Sequence, residues 1–310
     1  MADSSIQPDP SFITGGIAKT PFTLQQPPAQ CFDTRASRLR FLAQSSELAP
    51  YLDFLADLAA LQARLAQELP APHPISSERL QQASQAGLPP IDRAALADDS
   101  QLHACLRALC EAATHIAMPV PARQALDALR SAEADDVRWL LANVLSDVPG
   151  EAIPQDAIAL HLFAAAVVQV HLARLATSLP AEALQPVATG VCPACGGLPV
   201  TSSVIGLRDI ENVRYASCSC CATQWNEVRI KCLCCGSTKG ISYRSAGTDD
   251  ATVKAEVCKE CGHWSKLLYQ VRNPSLEPVA DDVGSLGLDL LMRSETPYRR
   301  AGFNPYLLGY

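Results

Sequence analysis

Ten of the thirteen cysteines lie from Cys192 to Cys261, and eight of them form four Cys-x-x-Cys pairs. They read Cys192-Pro-Ala-Cys195, Cys218-Ser-Cys-Cys221, Cys232-Leu-Cys-Cys235 and Cys258-Lys-Glu-Cys261. Twenty-two residues separate Cys195 from Cys218, twenty-two separate Cys235 from Cys258, and ten join the halves, so one unit is used twice. Two thiolates at this spacing can turn both sulfurs toward one ion, and two such knuckles close a tetrahedral four-sulfur site. The repeat predicts two complete sites with no open coordination position. Spacing alone suits zinc and iron equally. Cys220 and Cys234 also lie inside knuckles, but only 218/221 and 232/235 keep the register, so both are read as non-ligands.

Other cysteine chemistries fit less well. A disulfide framework belongs to oxidising compartments, and the opening Met-Ala-Asp-Ser-Ser-Ile-Gln-Pro-Asp-Pro has neither a basic start nor an apolar stretch of signal-peptide length. The expectation is a cytoplasmic protein. Thioredoxin-like dithiol chemistry uses a single Cys-x-x-Cys, whereas here the pairs come in fours. Gly196, Gly236 and Gly262 follow three of them, where a knuckle turn calls for a left-handed residue. Cys31, Cys105 and Cys110 have no partner at ligand spacing and read as small core residues.

The elements that would position these residues change character along the chain. Residues 1–30 are polar and hold Pro8, Pro10, Pro21, Pro27 and Pro28, the composition of a poorly ordered extension or an arm on the folded body. Residues 31–185 are rich in Ala and Leu and predict a helical bundle. Its helices are expected from Arg35 to Ala43, from Tyr51 to Leu69, and over 76–86, 100–116, 121–131 and 133–146. The most apolar helix is expected from Asp156 to Leu179. Its uncharged run Ala157–Ala173 is seventeen residues long, short of the ~20 a membrane span needs, so it reads as a buried central helix. His161 and His171 on it, and His103 with His115 earlier, are too far apart to cooperate and read as structural imidazoles. The helical half shows no phosphate loop and no nucleophile elbow, and no enzyme activity is expected.

From residue 186 the pattern turns to period two. Strands are expected over 198–205, 212–215, 227–230, 241–244, 252–257 and 266–271. They divide into a first four-cysteine ribbon, 186–230, and a second, 231–272. Trp225 and Trp264 follow the second knuckle of each repeat, as packing for a small metal-centred sheet. A helical tail, 273–310, is expected to dock through Val283, Leu286, Leu290 and Leu291. The fold class is α+β: an all-helical N-terminal bundle, two tandem rubredoxin-like or zinc-ribbon modules, and a short helical tail.

Four features of this sequence carry a family likeness. They are Cys192-Pro-Ala-Cys-Gly-Gly-Leu-Pro-Val-Thr-Ser-Ser-Val, the four knuckles, Ala280-Asp-Asp-Val-Gly-Ser-Leu-Gly-Leu-Asp, and Phe303-Asn-Pro-Tyr-Leu. Together they resemble the formate dehydrogenase accessory proteins of FdhE type. The resemblance implies a cytoplasmic bacterial protein needed to produce active respiratory formate dehydrogenase. It implies binding to the catalytic subunit before export through the twin-arginine pathway. It also implies rubredoxin-like iron sites on Cys192, Cys195, Cys218, Cys221, Cys232, Cys235, Cys258 and Cys261. Cys220 and Cys234 depart from the family pattern, which leaves ligand exchange within their knuckles open.

Three functional readings follow. A maturation factor would use the bundle to recognise its client and two closed metal sites to hold the ribbons. A rubredoxin-like electron carrier would use the same sites as redox centres. A nucleic-acid-binding zinc ribbon fails on charge: residues 186–272 hold ten Lys plus Arg against seven Asp plus Glu, a balance of +3. Each four-thiolate site with a divalent ion contributes −2, which brings the segment to about −1, and a phosphate-tracking surface is basic. The whole-chain net charge of −7 points the same way.

Overall fold

The computed structural model describes residues 20–146, 154, 157–207, 210–294 and 298–307. Among these, seven α-helices build the first half. α1 (Pro28–Ala43) and α2 (Ala49–Glu68) both carry proline in the first turn, where the missing N–H costs nothing. α3 (Ser77–Ala86) is capped by the Ser76 hydroxyl, which accepts the Arg79 N–H, and it ends at left-handed Gly87. α4 (Ser100–Ala113) is capped by Asp99, whose carboxylate accepts the N–H groups of Gln101 and Leu102. α5 (Val120–Arg130) and α6 (Ala134–Leu145) lead to α7 (Ile158–Thr177).

α7 is the one helix among the described residues long and apolar enough to cross a membrane, and most of it is buried inside the protein. Its sequence is hydrophobic nearly all round because α1, α2, α4, α5 and α6 all pack on it. Phe163 meets Phe54 of α2 edge-to-face at 6.3 Å. His161 is buried with Nδ1 2.9 Å from the Ala157 carbonyl. His171 is buried with no hydrogen-bond partner for Nε2; burial pulls it below the ordinary imidazole range and keeps it neutral.

Among the described residues eight strands form one sheet: β1 (Thr23–Leu24), β2 (Pro199–Leu207), β3 (Ile210–Cys218), β4 (Gln224–Glu227), β5 (Ile241–Arg244), β6 (Val253–Cys258), β7 (His263–Tyr269) and β8 (Arg299–Arg300). The order is β1-β4-β3-β2-β7-β6-β5, with β8 added on β7. Pairing within each ribbon is antiparallel. The ribbons are joined by the parallel β2–β7 pair, in the register Ser202 to Leu267. The two repeats are therefore hydrogen-bonded side by side, a contact that the repeated spacing does not announce.

Two expectations are corrected and one alternative is decided. Residues 20–30 form the arm on the folded body: β1 pairs with β4, Tyr215 Oη donates to the Pro21 carbonyl at 2.6 Å, and α1 begins at Pro28. Residues 1–19 lie outside the described residues. The strand expected at 227–230 lies at 224–227, because Trp225 is the residue that packs inward. Past Glu227 the chain leaves the sheet toward the next knuckle, and Val228 and Ile230 stay exposed. The tail helix breaks at Ser285 into α8 (Pro278–Gly284) and α9 (Leu286–Ser294). That break rotates the buried face: Leu288 and Met292 pack inward, while Leu290 and Leu291 are exposed. α8 rests on α1 and β2, and α9 on β6.

Candidate metal centres

The four knuckles close on one another in pairs. Cys192, Cys195, Cys218 and Cys221 place their sulfurs within 4.8 Å of one another, as do Cys232, Cys235, Cys258 and Cys261. The closest approaches are 3.5 Å for Cys192–Cys221 and for Cys195–Cys218. In the second cluster they are 3.7 Å for Cys232–Cys261 and 3.8 Å for Cys235–Cys258. A tetrahedral ion with bonds of ~2.3 Å to sulfur sets edges of ~3.8 Å, so both donor sets fit such an ion.

Backbone geometry explains how the sequence makes these turns. Gly196 stands at φ +75° with its N–H on the Cys192 carbonyl at 2.9 Å, and Gly236 and Gly262 repeat the arrangement. The second knuckle, Cys218–Cys221, has no glycine there; Ala222 takes the left-handed conformation at φ +58° instead, at a cost of ~1–2 kcal/mol. A Cβ at Gly197 would stand 3.2–3.4 Å from the sulfurs of Cys218, Cys220 and Cys195, so a side chain there would crowd the cluster. Backbone N–H groups of Cys220 and Cys221 point at the Cys218 sulfur at 3.4 Å, and those of Cys234 and Cys235 at Cys232 at 3.3 and 3.5 Å. Such donors stabilise thiolate, the form a metal needs.

Electrostatics in the first cluster separate its thiols. Burial resists ionisation of Cys218, but the surrounding thiols outweigh it and hold Cys218 well below the ordinary range. Burial pushes Cys192 up, and the neighbouring thiols push Cys195 up. One thiolate thus forms first, and Cys192 and Cys195 need a cation to join it. By contrast Cys31, Cys105 and Cys110 are pushed up by burial to about 11, 12 and 11, which suits inert core thiols.

The two clusters differ in cover. All four sulfurs of the first are buried and belong to the same apolar core as the bundle. In the second, Cys235 is exposed and Cys261 half-buried. A competing chelator should therefore strip the second cluster first. The expected result is two separated phases of metal release from the full-length protein; a single phase releasing both ions together would show that cover does not control access.

Buried polar residues that sequence reasoning passed over tie these clusters to the rest. Gln169 of α7 donates to the Ser219 carbonyl, inside the second knuckle, at 2.8 Å. Its Oε1 accepts from Arg35 at 3.3 Å and Gln62 at 3.1 Å, and lies 2.9 Å from Tyr306 Oη. Arg35 pairs with Glu277, which caps α8. Arg214 of β3 pairs with Glu256 of β6 at 2.7 Å and donates to the Lys231 carbonyl at 2.8 Å, bridging the ribbons. The Ala280-Asp-Asp motif also proves structural: Asp281 pairs with Arg38, while Asp282 and Asp289 face Lys266 and Arg300. Lone polar residues inside apolar helix and strand patterns were the available signal. Trp225 and Trp264 are 2% and 4% exposed, which leaves no face for a stacked base.

A helical bundle fused to a sheet that carries two tetracysteine clusters defines the class: a helical protein with tandem four-cysteine ribbons. Three family models match in succession, FdhE, N-terminal over residues 20–189, FdhE, central domain over 191–229, and FdhE, C-terminal domain over 230–307. The chain is 50% identical to the "Protein FdhE homolog" of Rhizobium meliloti (strain 1021), over 100% of both chains. It is 34% identical to that of Cronobacter sakazakii, covering 89% of this chain and 87% of the relative. The crystal structure of the FdhE protein from Pseudomonas aeruginosa superposes with a TM-score of 0.79 at 31% identity, covering 93% of this chain and 99% of that one. The chain belongs to the FdhE family.

Proposed function

We propose that this protein is a non-catalytic maturation factor that binds the catalytic subunit of respiratory formate dehydrogenase in the cytoplasm and is needed for that enzyme's activity. The observation that supports it is the full-length likeness to FdhE proteins, joined to two clusters whose four ligands leave no coordination position for substrate. In this reading Cys192, Cys195, Cys218 and Cys221 hold one ion, and Cys232, Cys235, Cys258 and Cys261 hold another, each iron or zinc. Residues 31–185 are the body, 186–230 and 231–272 the two ribbons, and 273–310 the strap that fastens them together.

The test is deletion of the gene, followed by separate assays of client abundance, export and formate oxidation, and pull-down of the catalytic subunit by the tagged protein. Loss of formate oxidation with the client recovered on the tag is expected. Normal activity with no client recovered would defeat the reading.

A second reading, a rubredoxin-like electron carrier, draws on the exposed Cys235, since outer-sphere transfer requires a metal near the surface. Visible charge-transfer absorption in anaerobically purified protein would favour it. A colourless protein with stoichiometric zinc would remove it.

A further inference from the structure

The second cluster has a neighbour that the first lacks. Cys234, Cys261 and His263 bring two sulfurs and a ring nitrogen within 4.8 Å of one another. Cys234 is exposed and the other two are half-buried. Cys261 belongs at once to this group and to the four-cysteine cluster. His263 Nδ1 lies 2.9 Å from the Cys261 carbonyl. A carbonyl only accepts, so Nδ1 carries the proton and Nε2 keeps the lone pair, the tautomer of a metal-binding imidazole.

The first ribbon shows what an ordinary knuckle does at these places. Ala194 stands where Cys234 does, and it is buried. Thr223 stands where His263 does, and its hydroxyl receives the Cys221 thiol at 3.2 Å. The extra cysteine of that ribbon, Cys220, is buried beside Cys218 and joins no second group of three donors among the described residues. Three donors, one of them on an exposed residue, leave the fourth coordination position that a closed structural site fills.

We propose that Cys234, Cys261 and His263 form a loading site for a thiophilic divalent cation, which binds there first and then passes into the second cluster. This rests on the reading that the second cluster holds a metal. Binding releases the Cys234 and Cys261 thiol protons to solvent, and the ion keeps its bond to Cys261 throughout. Transfer exchanges Cys234 and His263 for Cys232, Cys235 and Cys258, whose three thiol protons pass to solvent as their sulfurs bind, while Cys234 takes a proton back from water. No electron moves. Among the described residues the buried first cluster has no such site, and its ion would be taken up as that ribbon folds.

The experiment is rapid mixing of Co²⁺ with full-length protein after chelation, followed by visible absorption. The wild type should show a fast phase with a mixed thiolate–imidazole spectrum, converting to the four-thiolate spectrum. Cys234→Ser and His263→Asn should lose the fast phase yet reach the same final four-thiolate signal. Asn can still donate to the Cys261 carbonyl, so the second variant removes the ligand without removing that bond. Cys220→Ser should keep both the fast phase and the full two-ion content. Filling of either altered second ribbon at the wild-type rate, or loss of final metal content in Cys234→Ser, would overturn the loading site. Absence of any cobalt uptake by the wild type would overturn both the loading site and the metal reading beneath it.

Discussion

Cys192→Ser is expected to lose one metal equivalent and to loosen the helical bundle along with the first ribbon. A closed structural zinc site contributes ~10–16 kcal/mol of binding energy to folding in small domains, as much as the whole ~5–15 kcal/mol stability of an ordinary domain. A ribbon that folds apart from the bundle, as the division at residue 186 would have it, would confine the damage to itself. The structure argues otherwise, because Cys192, Cys195, Cys218 and Cys221 share one apolar core with α1, α2 and α7. Ile91 donates to the Ala194 carbonyl at 3.1 Å, and Gln169 holds the Ser219 carbonyl, so an unfolded knuckle would strip partners from the helices too. Cys235→Ser, at the exposed second cluster, should also lose one ion but leave the thermal unfolding of the helices near that of the wild type. Metal analysis, helix melting and protease resistance would be measured on both. Two ions retained in Cys192→Ser, with unchanged protease resistance, would sink the assignment.

How far the sequence could be read depended on the range of the signal. The two cysteine clusters were legible because a knuckle is local: four residues carry both sulfurs and the turn, and only the pairing of knuckles is long-range. Helix α7 was legible from its uncharged run, and α3 from Ser76 and Gly87 at its ends. The sheet was legible strand by strand but not as one surface, since the parallel β2–β7 pair depends on contacts more than sixty residues apart. The same limit hid Gln62, Gln169 and Tyr306, each ordinary in its own segment and meaningful only where α2, α7 and the tail converge. The tail misled through another long-range contact. A single continuous helix would have buried Leu290 and Leu291, but Gly284 comes so close to Leu42 that a Cβ would stand 2.8 Å away, and the helix restarts with a different face inward.

Asp282→Asn should cost about 3–5 kcal/mol, the usual penalty for removing one partner from a buried ion cluster. Asp282 and Lys266 are fully buried, and Arg300 is largely so. The Asp282 carboxylate lies 2.6 Å from Arg300 and 3.2 Å from Lys266, and accepts from Asn304 at 2.7 Å. Two cations there face two carboxylates, the second being Asp289 at 2.5 Å from each. The amide would leave a buried positive charge uncompensated between α8, α9, β7 and β8, the point where the tail is fastened to the second ribbon. Acid should act on the same group. Burial opposes ionisation of Asp282, but Lys266 and Arg300 outweigh it and hold the carboxyl below its ordinary value of 3.8. A depressed folded value means stability present above 3.8 and lost as pH falls through the folded value. Asp289 runs the other way, lifted by burial, so it takes up its proton earlier and spares the fold a buried charge. The wild type should therefore lose stability steeply only below the ordinary carboxylate range, and Asp282→Asn should lack that steep limb. Asp57→Asn, which breaks a solvent-exposed pair with Arg40, serves as the control and should cost less than ~1 kcal/mol. Urea unfolding of the three proteins across the acid range reads both effects. An Asp282→Asn variant as stable as the control, with the steep acid limb intact, would mean that this cluster does not hold the tail to the ribbon.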